Sequence, residues 1–108
     1  MTEAQLLAVV RDACKWSGLL VYHTFDSRRS ERGFPDTVVC GPRGVLYREL
    51  KSERGRLTAD QQTWLDRLTQ AGVDASVWRP DDWPSRVFAE LHGIGGRRLL
   101  YDDRRAAS

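Results

Sequence analysis

This sequence predicts a mixed α/β domain, with one sheet flanked by helices in the order helix, three strands, helix, strand, helix. Three observations carry that prediction. Apolar residues recur at three- and four-residue intervals in three separate stretches, short runs of β-forming residues lie between them, and glycines or prolines stand at the junctions. With 108 residues, 41% of them hydrophobic, the chain can bury one modest core but not two.

The first helix runs from Thr2 to about Ser17, with Leu6, Leu7, Val10, Ala13 and Cys14 in phase, Glu3 and Arg11 among the polar positions, and Gly18 closing it. Leu19 to Thr24 is too short and too rich in β-formers for a helix and reads as a strand. Asp26 to Gly33 mixes charge, serine and glycine without a period, the pattern of an exposed loop. Asp36 to Cys40 and Val45 to Lys51 form a hairpin around Gly41-Pro42-Arg43-Gly44. Thr58 caps the next helix, with Gln61 at the third helical position and Trp64, Leu65 and Leu68 on one face until Gly72. Ala75 to Trp78 is a fourth strand. Asp82-Trp83-Pro84 opens a last helix, with Pro84 at a tolerated early position, ending near His92 before Gly93. Residues 1–92 therefore form the domain. Residues 93–108 are a basic tail, either frayed or in contact with phosphates.

Composition narrows the function less than it narrows the fold. No apolar run reaches the ~18 to 20 residues needed to span a bilayer, and no basic-then-hydrophobic leader opens the chain, so a soluble, cytoplasmic protein is expected. Cys14 and Cys40 lack zinc-site spacing and read as core fillers. A net charge of +2 suits many proteins. Its distribution says more, because Arg28, Arg29 and Arg32 share one loop, while Arg97, Arg98, Arg104 and Arg105 crowd the end; both sets are candidate phosphate contacts. Trp16, Trp64, Trp78 and Trp83 fit core positions better than a base-stacking platform. His23 and His92 could each be proposed as a general base, and His23 also fits a partly buried strand position or a place near nucleic acid. A triad of His23, Asp26 and Ser27 is rejected, because the three crowd five positions without the glycines of a nucleophile elbow.

The chemistry concentrates in the hairpin. If it turns about Pro42-Arg43, residues whose numbers sum to 85 face each other, and Asp36 sits opposite Glu49. Directly opposed residues share a face, as does Lys51 two positions on, while Leu50 points to the core. An odd-numbered loop would reverse the face and separate the three. Two adjacent carboxylates repel unless a cation lies between them. Mg2+, or Mn2+ in its place, would find oxygen ligands in Asp36, Glu49 and the Leu50 backbone carbonyl, with water and a phosphate oxygen completing the shell. Lys51 would hold the attacking water or offset charge on phosphorus.

Gly33-Phe34-Pro35-Asp36, Glu49-Leu50-Lys51 and Gly55-Arg56-Leu57-Thr58 leading into Gln61 and Trp64 together resemble the VRR-NUC nucleases of the PD-(D/E)xK superfamily. The likeness covers roughly Glu3 to Trp83. It implies a restriction-endonuclease-like core and metal-dependent DNA cleavage, with Asp36 and Glu49 as ligands, Lys51 as catalytic lysine and Gln61 in the active site. It also implies that Glu3 approaches the metal, although the helix dipole alone explains an acidic residue there. Stand-alone members in phages and bacteria are often homodimers acting on branched DNA such as Holliday junctions, in replication, recombination or repair. The expected protein is thus an endodeoxyribonuclease that binds DNA, as a homodimer, without a membrane partner. Its rivals are a noncatalytic DNA-binding or assembly module, and a nuclease acting on flaps, nicks or plain duplex. A site-specific restriction enzyme needs more recognition loops than this length allows.

Overall fold

The computed structural model describes residues 1–26 and 28–97. Ser27, Arg98, Arg104 and Arg105 therefore lie outside the described residues. Helix α1 (Glu3–Ser17) is followed by strands β1 (Leu20–His23), β2 (Thr37–Gly41) and β3 (Gly44–Leu50), then α2 (Ala59–Gln70), β4 (Asp74–Trp78), a 3-10 turn (Pro80–Asp82) and α3 (Ser85–Gly93). The sheet order is β1-β2-β3-β4, antiparallel through the first three strands and parallel between β3 and β4. A parallel pair requires a crossover, and α2 supplies it.

Local chemistry explains the boundaries. Thr2 and Gln5 form a reciprocal capping box at the start of α1, and Gly18 ends it at φ 76°. Thr58 and Gln61 do the same for α2, as the sequence pattern anticipates. The last helix starts later than expected. Pro80–Asp82 forms a separate 3-10 turn, and Pro84 occupies the cap position before Ser85, where its missing N–H costs nothing.

The sheet has two unlike faces. Thr37, Val39, Leu46, Arg48, Leu50 and Trp78 point toward α1 and α3, where Leu6, Val10, Ala13, Cys14, Val87, Leu91 and Ile94 complete the core. Burial pushes the Cys14 thiol up to about 12, with the nearby Arg11 charge opposing, as suits an inert core residue. Packing continues past His92, because Ile94 is buried and Arg97 bonds to the carbonyls of Ser17 and Trp16. The opposite face carries α2 over β4 and the end of β3. Among the described residues, no helix is long and apolar enough to cross a membrane.

Two expected core residues are not in the core. Cys40 alternates with buried Val39 on β2, so it projects from the outer face, beyond the reach of α2, and is exposed. Trp16 lies on the flank of α1, off the stripe Leu6, Val10, Ala13, Cys14 and Ser17, and is 62% exposed.

Arg48 is 1% exposed and organises the inner face. Its guanidinium pairs with Glu90 at 2.6 Å and Asp74 at 2.8 Å, and donates to the carbonyls of Tyr47 and Asp74. It also lies over the Trp78 ring, 5.3 Å from the centroid. Trp78 Nε1 donates to the same Glu90 oxygen at 2.9 Å, and Arg86 holds the other at 2.6 Å. Burial alone would raise the Glu90 carboxyl, but the bonds from Arg48 and Arg86 outweigh it and hold it below its ordinary value. One network thus locks α3 to β3 and β4. Replacing Arg48 with Ala should destabilise the protein by about 3 to 5 kcal/mol, because it empties a fully buried site and breaks the bonds to Asp74 and Glu90, leaving Glu90 to Arg86 and Trp78. Arg48→Met together with Glu90→Gln should cost less than Arg48→Ala alone, and urea unfolding of the three proteins measures both differences.

Candidate active site

The hairpin register brings the site together. Thr37 pairs with Arg48, Val38 with Tyr47 and Gly41 with Gly44, each pair summing to 85 around the two-residue turn Pro42-Arg43. One further step along the strands places Asp36 beside Glu49. The two side chains are close enough to share a hydrogen bond, and Glu49 is 5% exposed. Asp36 is fixed from three directions. Its Oδ1 accepts from the Leu50 N–H at 3.0 Å and from the Thr37 hydroxyl at 3.0 Å, and its carbonyl accepts from the Thr24 N–H at 2.8 Å.

Pro35 is fully buried, and at this end of β3 the Leu50 N–H finds its acceptor in the Asp36 carboxylate. The N–H and carbonyl of one extended residue project to the same side. The Leu50 carbonyl therefore lies on the Asp36 side of β3.

Burial, and after it the Asp36 charge, together push the Glu49 carboxyl from 4.5 up to about 8 against a smaller lowering by Lys51. The pair thus retains a proton at neutral pH. Gln61 spans the cap of α2 and the site: its Oε1 accepts from the Thr58 N–H at 2.9 Å, while its Nε2 donates to Glu49 Oε2 at 3.3 Å. The capping and active-site readings of Gln61 are therefore compatible. Gly33 sets the distance of α2 from Asp36. At φ 90° its Cα faces the Asp60 backbone, where a Cβ would come within 2.4 Å of the carbonyl carbon.

A cavity of about 540 Å³ opens here, with Asp36, Glu49 and Gln61 in its wall. Glu3 reaches it from α1, as does His23 from β1. Lys51 is outside the lining, with its stem passing Gly55 and its charge reaching Glu49. Arg28 and Arg29 border a separate cavity with Asp26, and the Arg28 guanidinium is held by Asp26 at 2.7 Å. Arg32 is exposed, and its carbonyl accepts from Trp64 Nε1 at 3.1 Å. The three loop arginines therefore lie outside the lining of the cavity that holds the carboxylates.

Among the described residues, no group of three or more His, Cys, Asp or Glu forms a ready metal cage. Two carboxylates that hold an unwanted proton, beside one backbone carbonyl, suit a hard cation that keeps several of its waters. The residues fit Mg2+ or Mn2+ in that sense, with the cation displacing the proton.

Residues 2–82 match the VRR-NUC domain. The chain belongs to the VRR-NUC family. Over 77 residues, 69% of the chain, it is 34% identical to Fanconi-associated nuclease 1 of Danio rerio, and it spans 8% of that protein. A solved VRR_NUC domain protein shares the fold with a TM-score of 0.64, over 89% of this chain and 92% of that one, at 18% identity. Archaeoglobus fulgidus Hjc, a Holliday junction resolvase, is a looser likeness: TM-score 0.46, 24% identity, 72% of this chain and 65% of that one. The mixed sheet with flanking helices is thus the restriction-endonuclease-like core of a VRR-NUC nuclease domain.

Sequence reasoning missed Thr37. Its single hydroxyl proton goes to Asp36, so His23 Nδ1, 2.9 Å away, must donate in the bond to Thr37 Oγ1. That assigns the tautomer of His23. The available signal was register, since β1 pairs His23 with Thr37 directly.

The Glu49 proton makes stability depend on pH in this VRR-NUC domain. Without metal, the folded state keeps the proton up to about pH 8, whereas the unfolded chain releases it near 4.5. The folded state therefore binds more protons between those values, and stability should fall as pH rises through that window. Urea midpoints in EDTA from pH 5.5 to 8.5 should show this decline, and Glu49→Gln should flatten it.

Proposed function

We propose that this VRR-NUC domain is a metal-dependent endodeoxyribonuclease selective for branched DNA, with Asp36, Glu49, Lys51 and Gln61 as its catalytic residues. The observation that carries the reading is the Asp36–Glu49 pair, packed together around one excess proton and bonded by Gln61. A purely structural role would gain nothing from so costly a pairing.

Asp36, Glu49 and the Leu50 carbonyl would hold the cation, with Glu3 as a more distant candidate. When bound, Mg2+ or Mn2+ would lower the pKa of a water and withdraw charge from the scissile phosphate. Asp36 is positioned for this by Leu50 N–H and Thr37, and Glu49 by Gln61. Lys51 brings a cation to the border of the cavity, where it can orient the water or offset charge on the five-coordinate phosphorus. Arg28, Arg29 and Arg32 would bind phosphates to either side. A homodimer would double the small footprint of one domain and match the two-fold symmetry of a four-way junction. The exposed outer face at Leu20, Cys40 and Val45 offers apolar surface for that contact. Such a nuclease would work in replication, recombination or repair, in a bacterial or phage-infected cytoplasm.

Labelled junctions, flaps, nicked and plain duplexes, incubated with Mg2+, Mn2+ or EDTA, test the reading. Cleavage should require metal and favour the junction. Lys51→Ala should slow cleavage more than about 100-fold with fold and metal binding intact, whereas Asp36→Asn should weaken metal binding as well. An active Lys51→Ala protein would refute the assignment.

Replacing Arg28, Arg29 and Arg32 together with Ala should weaken binding to every DNA sequence alike. The slope of log affinity against log salt should fall by roughly one unit per lost contact. Arg28→Ala alone should contribute least, because Asp26 already occupies its guanidinium. Unchanged slopes would remove the loop from the DNA interface.

A further inference from the structure

We infer that Phe25 forms a stacking subsite for an unpaired nucleobase beside the scissile phosphate, a refinement that rests on the nuclease reading above. Phe25 is 79% exposed, yet it is held in place. The Arg11 guanidinium from α1 lies 5.8 Å from its ring centroid, and His23 packs nearly perpendicular to it at 5.0 Å and 78°. Through His23 and Thr37 the ring is connected to Asp36 by successive contacts.

The lining of the cavity explains why a base is the natural occupant. Glu3, Glu31, Asp36 and Glu49 line it, and among its lining residues there is no lysine or arginine. A phosphate enters such a place only with its cation. An aromatic face carries no such repulsion, and any base can stack on it. Tyr22 and Phe34 line the same cavity and are also exposed, but Phe34 is already packed against Trp64 at 5.1 Å and Tyr47 at 6.1 Å. Phe25 extends furthest into solvent. In intact duplex each base is already stacked on its neighbours, so Phe25 can gain a base only where one is unpaired, as at a branch, bulge or flap. The subsite would thus convert DNA structure into binding preference without reading sequence.

Binding can be measured in Mg2+ by fluorescence anisotropy, on a Lys51→Ala background that leaves the DNA uncut. The probes are a fully paired duplex and the same duplex with one unpaired nucleotide. The parent should bind the second about tenfold more tightly, within the range expected of one stacked base. Phe25→Ala should bring the ratio close to one while leaving paired-duplex affinity unchanged, and Phe25→Trp should preserve the ratio. Folding is not at stake for so exposed a side chain, and a thermal melt verifies that. A parent ratio near one, or a ratio that survives Phe25→Ala, overturns the subsite, and if wild-type protein still cuts DNA the nuclease reading stands. If the parent binds no DNA, both fall. If Phe25→Ala changes oligomeric state in light scattering and leaves the ratio intact, the ring belongs to a subunit contact instead.

Discussion

The proximity of Asp36 and Glu49 is the constraint around which the domain is arranged. Burial and mutual repulsion oppose it while both groups are charged, and together they force a proton onto the pair. The arrangement persists because backbone geometry dictates it. A two-residue turn at Pro42-Arg43 fixes the parity of β2 against β3, and parity decides which side chains share a face. The cost of the pair is therefore set against the ladder hydrogen bonds and the core under the hairpin, which cannot be given up one residue at a time.

That arrangement makes β3 a strand with two tasks. Leu46, Arg48 and Leu50 point inward and bind it to α1 and α3, while Glu49 between them points to the cavity it shares with Asp36. The Arg48–Glu90 network secures the inner face one residue away from the Glu49 carboxyl, which burial and Asp36 keep protonated. Opposite charges on the inner side and like charges on the outer side lie one residue apart. An apolar residue in place of Arg48 could fill the space, but it would not link β3, β4 and α3 through directional bonds at 2.6 to 2.8 Å.

How much of this could be read from the sequence follows from the range of each interaction. The hairpin register and the Thr58–Gln61 capping box were legible because turn length and cap chemistry act locally. Gln61 was legible twice over, as a cap partner and by resemblance, and the structure shows one amide serving both bonds. Arg48 was not, because a buried arginine looks like any polar strand residue until Asp74 and Glu90, distant in sequence, are brought to it. Cys40 was misjudged for a related reason: alternation reveals that β2 has two faces, but only tertiary packing reveals that α2 leaves one partly uncovered. Trp16 shows the same limit on a helix, where its size suggested burial and its angle around α1 decided otherwise.

Charge separation around the cavity bears on how such a small domain could distinguish among DNA structures. The acidic groups line the cavity, whereas the arginines of the adjacent loop sit outside it, one of them already paired with Asp26. Were those arginines within the cavity, they would neutralise Asp36 and Glu49 directly, and the affinity for a cation would fall accordingly. Kept outside, they can attract the backbone from a distance while the carboxylates remain available for metal. The exposed aromatic residues Tyr22, Phe25 and Phe34 line the cavity beside those carboxylates, at its boundary with solvent. An uncharged, polarisable surface is the one kind of contact that such a boundary can present to nucleic acid without disturbing either side.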